Sequence, residues 1–123
     1  MTDTTPAALS DLRVLDLTDL KGALCAKLLG DMGADVIKIE PPGGDLMRTI
    51  GPFLDGTPHR DRSLLFWFYN TSKRGLTLDV HQPAGQEIFK QLTAKADVVI
   101  ESFAPGTLAT LGLGYEHLKR LNP

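Results

Sequence analysis

The sequence is poor in the features that would assign a chemistry by motif. It has one cysteine, Cys25, so no disulfide can form within the chain. Cys25 falls among apolar residues at helical spacing, where a buried structural thiol is the expected role rather than a reactive one. No apolar run reaches membrane-spanning length. Met1 to Ser10 is polar and lacks the apolar segment of a secretory leader, so the cytoplasm is the expected compartment. The histidines, His59, His81 and His117, are scattered without metal-ligand spacing, which argues against a metal site. There is no P-loop. Where a dinucleotide fingerprint would follow the first strand, the chain reads Thr18-Asp19-Leu20-Lys21-Gly22-Ala23. Positive charge is not in excess either: 13 Lys and Arg against 15 Asp and Glu leave a net charge of −2. That balance argues against nucleic acid or a membrane surface as a partner.

What is present is an alternation of strand-like and helix-like segments. Arg13 to Leu17 and Asp35 to Glu40 are short runs rich in Leu and β-branched residues, and read as strands. Between them, Leu24, Cys25, Leu28, Leu29 and Met32 fall on one helical face, which is the expected core face. Thr18 or Asp19 suits the cap of that helix, and Gly33 suits its left-handed end. Strand, helix, strand makes a βαβ unit, which implies a parallel sheet.

Pro41-Pro42-Gly43-Gly44-Asp45 halts the second strand. A long loop then runs to about Arg62, and loops of that length are often functional. Ser63 to Tyr69 is apolar and aromatic, and periodicity alone leaves helix or strand open. Gly75 to Val80 alternates as a strand. Pro83 suits a first helical turn, and Ala84, Ile88, Phe89, Leu92 and Ala96 repeat at helical spacing. Asp97 to Phe103 reads as a further strand, with short helices over Thr107–Leu111 and Tyr115–Leu121. The expected fold class is α/β: an open, mostly parallel, Rossmann-like sheet with flanking helices. The alternation would next require a strand after Pro123, so an incomplete domain is expected. Residues 1–10 read as a flexible lead-in and 11–123 as the domain portion.

Candidate site residues follow from the strand ends, where parallel sheets place their ligands. Gly22 offers helix N–H groups to an anion, or simply eases helix entry. Asp16 stands near the carboxyl end of the first strand, a place for a catalytic carboxylate, yet no second acid or His is fixed beside it. A strand-end cap or a salt-bridge partner is therefore the expected role. Lys73 and Arg74 suit phosphate oxygens, or pair with nearby Asp residues. His81 follows a strand, and Phe103 offers an aromatic face to a flat base or plugs the core.

Together these segments resemble family III CoA-transferases, the group of formyl-CoA transferase, carnitine CoA-transferase and alpha-methylacyl-CoA racemase. The resemblance is carried by Arg13-Val14-Leu15-Asp16-Leu17-Thr18, by Gly33 through Glu40 to Asp45, and by Asn70 through Lys73-Arg74 to Asp79. Asp97 to Phe103 with Pro105-Gly106, and Leu111 to Tyr115 with Leu121-Asn122-Pro123, complete it. Each motif is weak alone; their joint order and spacing are specific.

The resemblance implies the N-terminal part of a large CoA-binding domain, in an enzyme whose chains interlock as a homodimer. It implies coenzyme A or acyl-CoA as substrate, with no prosthetic group, and a small carboxylic acid as acceptor. It also implies catalysis by an Asp beyond the aligned stretch, so that no catalytic residue is expected among these residues. The CoA-contacting positions carry over to Lys21 and Gly22, to Leu78, Asp79, Val80 and His81, and to Ser102, Phe103 and Ala104. The family's usual Ala-Gly-Pro turn is altered here to Gly22-Ala23-Leu24. Pro41 and Thr110 stand where family members carry an arginine, and Arg48, Arg60 or Arg62 are the candidates to replace those cations. An acyl-CoA racemase and a non-catalytic nucleotide-binding fragment are the alternative readings. An open sheet with unpaired edges also leads to an expectation of self-association.

Overall fold

Side-chain alternation along two strands divides the molecule into two layers of core. A computed structural model describes residues 5–123. Strand β1 (Arg13–Leu17) pairs in parallel with β2 (Asp35–Glu40) on one side and β4 (Val98–Glu101) on the other. Strand β3 (Lys73–Thr77) adds to β2, so the sheet runs β3-β2-β1-β4 and is wholly parallel. Because strand side chains alternate, Val14 and Val36 point to one face and Leu15, Leu17 and Ile39 to the other. Helix α1 (Ala23–Asp31) covers the first face through Ala26, with Ala34 and Leu29. Helix α3 (Pro83–Thr93) covers the second through Phe89, with Leu108 of α4 (Thr107–Thr110) and Leu118 of α5 (Tyr115–Leu118).

Helix α1 corrects the expected core face. Its buried residues are Ala23, Ala26 and Gly30. Leu24, Leu28, Met32 and Cys25 are exposed, Leu28 to 52%. The cause is close approach. A Cβ on Gly30 would lie 2.8 Å from the Ser72 carbonyl oxygen, so small residues face the sheet and large ones turn outward. The helix also lacks a side-chain cap. Gly22 holds the N-cap position, where Thr18 or Asp19 was expected, because both side chains are bonded elsewhere. Gly33 ends the helix with φ +103°, as its position suggests.

The long loop is more ordered than its composition implies. It contains 3-10 turns at Leu46–Thr49 and Leu54–Gly56, and Phe53 bridges to Ser63. The Ser63–Tyr69 ambiguity resolves as helix α2 (Leu64–Tyr69), whose Phe66 N–H is capped by the Ser63 hydroxyl at 3.1 Å. Strand β3 starts at Lys73 and ends at Thr77, earlier than the Gly75–Val80 expected. Leu78 to Val80 therefore form the turn out of the sheet. In α3, Ala84 and Ile88 are exposed and Gly85 and Thr93 buried, a second correction to the expected face. Residues 1–4 of the lead-in lie outside the described residues. Further along it, the Leu9 N–H donates to the Met32 carbonyl at 3.1 Å.

Gly85 packs against the turn that leaves β3, where a Cβ would come within 1.8 Å of the Asp79 carbonyl oxygen. Alanine raises helix propensity by about 1 kcal/mol, but this clash with backbone outweighs it. Gly85→Ala is expected to destabilise the chain by about 1–3 kcal/mol net. Urea unfolding checks this, and a stabilised variant would show that helix propensity prevails there.

Candidate functional site

On the α1 side of the sheet, the carboxyl halves of β1 and β2 and the first residue of β3 carry charge instead of apolar side chains. Asp16, Lys38, Glu40 and Lys73 share that face by alternation. They form a set of paired, buried ions. Lys73 Nζ lies 2.8 Å from Asp16 Oδ2, with side-chain exposures of 1% and 0%. Lys73 also donates to the Asn70 side-chain oxygen at 3.0 Å and the Ala23 carbonyl at 3.2 Å. Burial pulls the Lys73 ammonium below the usual lysine range, against the hydrogen bond and charge of Asp16. Lys38 Nζ pairs with Asp45 Oδ2 at 2.8 Å and donates to the Thr18 carbonyl. Glu40 accepts two hydrogen bonds from Arg48, at 2.7 and 2.8 Å, and one from the Asp45 N–H. Arg48 also stacks on Phe66, its guanidinium carbon 3.7 Å from the ring centroid.

This network fixes the β1–α1 turn. Thr18 donates both its N–H and its hydroxyl to Asp16 Oδ1, at 2.9 and 2.6 Å, while Lys38 holds its carbonyl. Every polar group of Thr18 is thus tied to a buried charge. One residue on, the Asp19 N–H donates to Ser102 Oγ at 2.8 Å, and that hydroxyl donates back to Asp19 Oδ1 at 2.9 Å. The β1 turn and the β4 turn are thereby joined. Burial would raise the Asp19 carboxyl, but hydrogen bonds from Lys21 and Ser102 hold it below the usual carboxylate range.

Between these turns, a cleft of about 310 Å³ opens over the carboxyl ends of all four strands. Leu17, Thr18 and Asp19 line it from β1, and Ile39, Pro41, Gly44, Asp45 and Leu46 from β2 and its loop. Leu78, Asp79, Val80 and His81 line it from the turn after β3, and Phe103 from the turn after β4. His81 and Phe103 meet edge to face, with ring centroids 6.4 Å apart. The His81 N–H donates to Asp79 Oδ1 at 3.0 Å, and the ring Nδ1 lies 3.5 Å from the same oxygen. Chain order reverses between β1 and β4, and such a switch point is where open α/β sheets bind ligands. A larger cavity of about 660 Å³ runs along the outer edge of β4. Its lining comes from β4 and the helices beside it, with no residue of β1, β2 or β3, so it lies away from the switch point and is not the candidate.

Five of the carried-over residues thus line one cleft: Leu78, Asp79, Val80, His81 and Phe103. The other four do not line it. Lys21 is exposed and pairs with Asp19 at 2.9 Å, Gly22 caps α1, Ser102 ties the turns together, and Ala104 is exposed. Asp16, Lys73 and Arg74 take the pairing roles, Arg74 binding Asp35 through two hydrogen bonds of 2.8 Å. Arg48 is committed to Glu40 and is not a spare cation. The sequence reading missed Lys38, Glu40 and Asp45. Their signal was available: charges at Asp16, Lys38 and Glu40 fall two residues apart or in register on adjacent strands. No group of three or more potential metal ligands occurs among the described residues.

The model of CoA-transferase family III matches residues 9–123. The chain belongs to that family. It is 47% identical over 117 residues to a succinyl-CoA:mesaconate CoA-transferase of Haloarcula hispanica, covering 94% of this chain and 30% of that protein. It is 43% identical over 118 residues to a formyl-CoA:oxalate CoA-transferase of Afipia carboxidovorans, covering 94% of this chain and 27% of the relative. A CAIB/BAIF family protein from Brucella suis superposes with TM-score 0.85 at 41% identity, over 97% of this chain and 32% of that one. The chain therefore spans about 30% of the length of the family III relatives it matches.

Two expectations test the ion network. Lys73→Met leaves Asp16 buried and unpaired, which should cost about 3–5 kcal/mol. A variant as stable as the parent in chemical denaturation would show that the pair is dispensable. The second concerns acid. Burial would raise the Glu40 carboxyl, but Arg48, the Asp45 amide and Lys38 hold it below the usual range. A folded pKa below the unfolded one contributes stability that is complete above the unfolded value and lost as pH falls through the folded value. Stability should therefore fall as pH drops below about 4. Arg48→Met should shrink the Glu40 contribution to that loss and lower stability at neutral pH by roughly 2–3 kcal/mol. Denaturant melts across an acid pH series check both.

Proposed function

We propose that the cleft over the strand ends binds the nucleotide end of coenzyme A. Residues 11–123 are then the N-terminal part of the large CoA-binding domain of a CoA-transferase. The observation that carries this reading is the convergence of Leu78, Asp79, Val80, His81 and Phe103 on one cleft at the switch point. Its apolar floor of Leu17, Ile39, Leu78 and Val80 suits a flat base, with Phe103 as an aromatic wall. Asp79 and Asp19 at the rim offer acceptors for ribose hydroxyls or an exocyclic amine.

The activity is transfer of CoA from an acyl-CoA to a small carboxylic acid, in a cytoplasmic homodimer. The transferase names of the matched relatives support this over a racemase. They act, by name, on succinyl-CoA with mesaconate and on formyl-CoA with oxalate. Asp16 has both oxygens committed to hydrogen bonds, and the family resemblance puts the attacking acid in the part of the relatives that this chain does not span.

Titration calorimetry with CoA tests the cleft. Phe103→Ala should weaken binding by about 1–3 kcal/mol, if the ring stacks on a base as in other base-binding sites. His81→Ala should weaken it by a smaller amount. Wild-type affinity in both variants would show that these side chains only shape the turns.

A further inference from the structure

A CoA-binding cleft must deal with phosphates, and the lining of this one is short of positive charge. Its ionisable residues are Asp19, Asp45, Asp79 and His81. Lys38 neutralises Asp45, but the rim keeps two carboxylates. The cations nearby are mostly committed. Lys38 and Lys73 are buried in pairs, Arg48 is held by Glu40, and Lys21 is paired with Asp19.

Arg60 is the exception. Its Nη2 packs so closely on Gly44 that a Cβ there would lie 3.0 Å away, and Gly44 lines the cleft. Arg60 is half exposed, and its nearest carboxylate is Asp61, 3.9 Å from Nε. Asp61 is itself exposed and shared with Arg48 at 3.3 Å. The Arg60 guanidinium donates no hydrogen bond within the described residues. Its donors are thus free, at the edge of a cleft that lacks a cation.

Gly44 has a second property that fits. Its φ of +90° favours glycine, and a side chain there would meet Arg48, Arg60 and Glu40 together. A glycine keeps the space between the guanidinium and the cleft clear.

We propose that Arg60 is a specificity-determining residue that binds a phosphate of the CoA nucleotide at the mouth of the cleft. This rests on the reading of the cleft as a CoA site. A guanidinium presents a planar fork of donors that matches phosphate oxygens, and its charge survives at any working pH.

The test is calorimetric titration of the purified chain and of its Arg60→Gln and Arg60→Lys variants. The probes are CoA, 3′-dephospho-CoA and phosphate-free pantetheine. Arg60→Gln should weaken CoA roughly tenfold and leave pantetheine unchanged, and the loss should shrink at high salt. Arg60→Lys should recover part of the affinity. If the 3′-phosphate is the group bound, Arg60→Gln also erases any preference for CoA over the dephospho form. If the diphosphate is bound, both nucleotides weaken alike. Either pattern supports the proposal. Equal affinity of wild type and Arg60→Gln for CoA overturns it, as does an equal loss for pantetheine, which would make the effect structural. Failure of the wild type to bind CoA overturns the cleft reading and this inference together.

Discussion

The pairing of buried charges between the carboxyl ends of β1 and β2 and the start of β3 is the constraint on which the rest of the molecule turns. A parallel sheet buried on both faces is usually filled with apolar side chains. Here the α1 face changes character half-way along. On β1 and β2 its amino half is Val14 and Val36, under Ala26; Asp16, Lys38 and Glu40 follow toward the carboxyl ends, and Lys73 joins them from the start of β3. Each ion has a partner of opposite sign within 2.8 Å, and no buried side-chain nitrogen or oxygen among the described residues lacks a hydrogen bond. Such pairs add little net stability over apolar residues of the same volume, but breaking one is costly. Their contribution is to position. They hold the backbone of Thr18 and the Asp45 turn where the chain leaves the sheet, and those two segments are walls of the cleft.

The same arrangement explains the order in the loop after β2. Gly- and Pro-rich segments of this length usually carry little structure of their own. Asp45 accepts the Met47 N–H at 2.8 Å, Ser63 donates to the Ile50 carbonyl at 2.6 Å, and Arg48 reaches back to Glu40. Met47 and Phe66 then close a small core with Ala23. The loop is anchored to the strand ends by charge and sealed by three apolar residues. The cleft therefore rests on a supported surface from the β2 side.

The architecture was legible in the sequence because it depends on patterns that survive without tertiary context. Strand runs, Gly33, Pro83 and the order of elements all report local backbone preferences. What was not legible depended on which neighbour each face meets. The apolar stripe of α1 pointed to the wrong side because the helix approaches the sheet through Ala23, Ala26 and Gly30. Hydrophobicity alone ranks Leu above Gly for burial, and it carries no information on the distance between backbones. That Asp16 and Lys73 pair with each other was illegible for a similar reason. Asp16 and Lys73 are 57 residues apart, and only the β3-β2-β1 order brings them together. In the cleft, the resemblance placed Leu78, Asp79, Val80, His81 and Phe103 among the contact positions. It could not show that Lys21, Gly22, Ser102 and Ala104 would stand outside the cleft in this chain.

Ser102 has a consequence out of proportion to its size. One hydroxyl closes a reciprocal pair with Asp19 and so links the turn after β1 to the turn that carries Phe103. The gap between the two walls is then a matter of side-chain length. A single part-buried hydroxyl therefore couples two turns that are 83 residues apart in the chain.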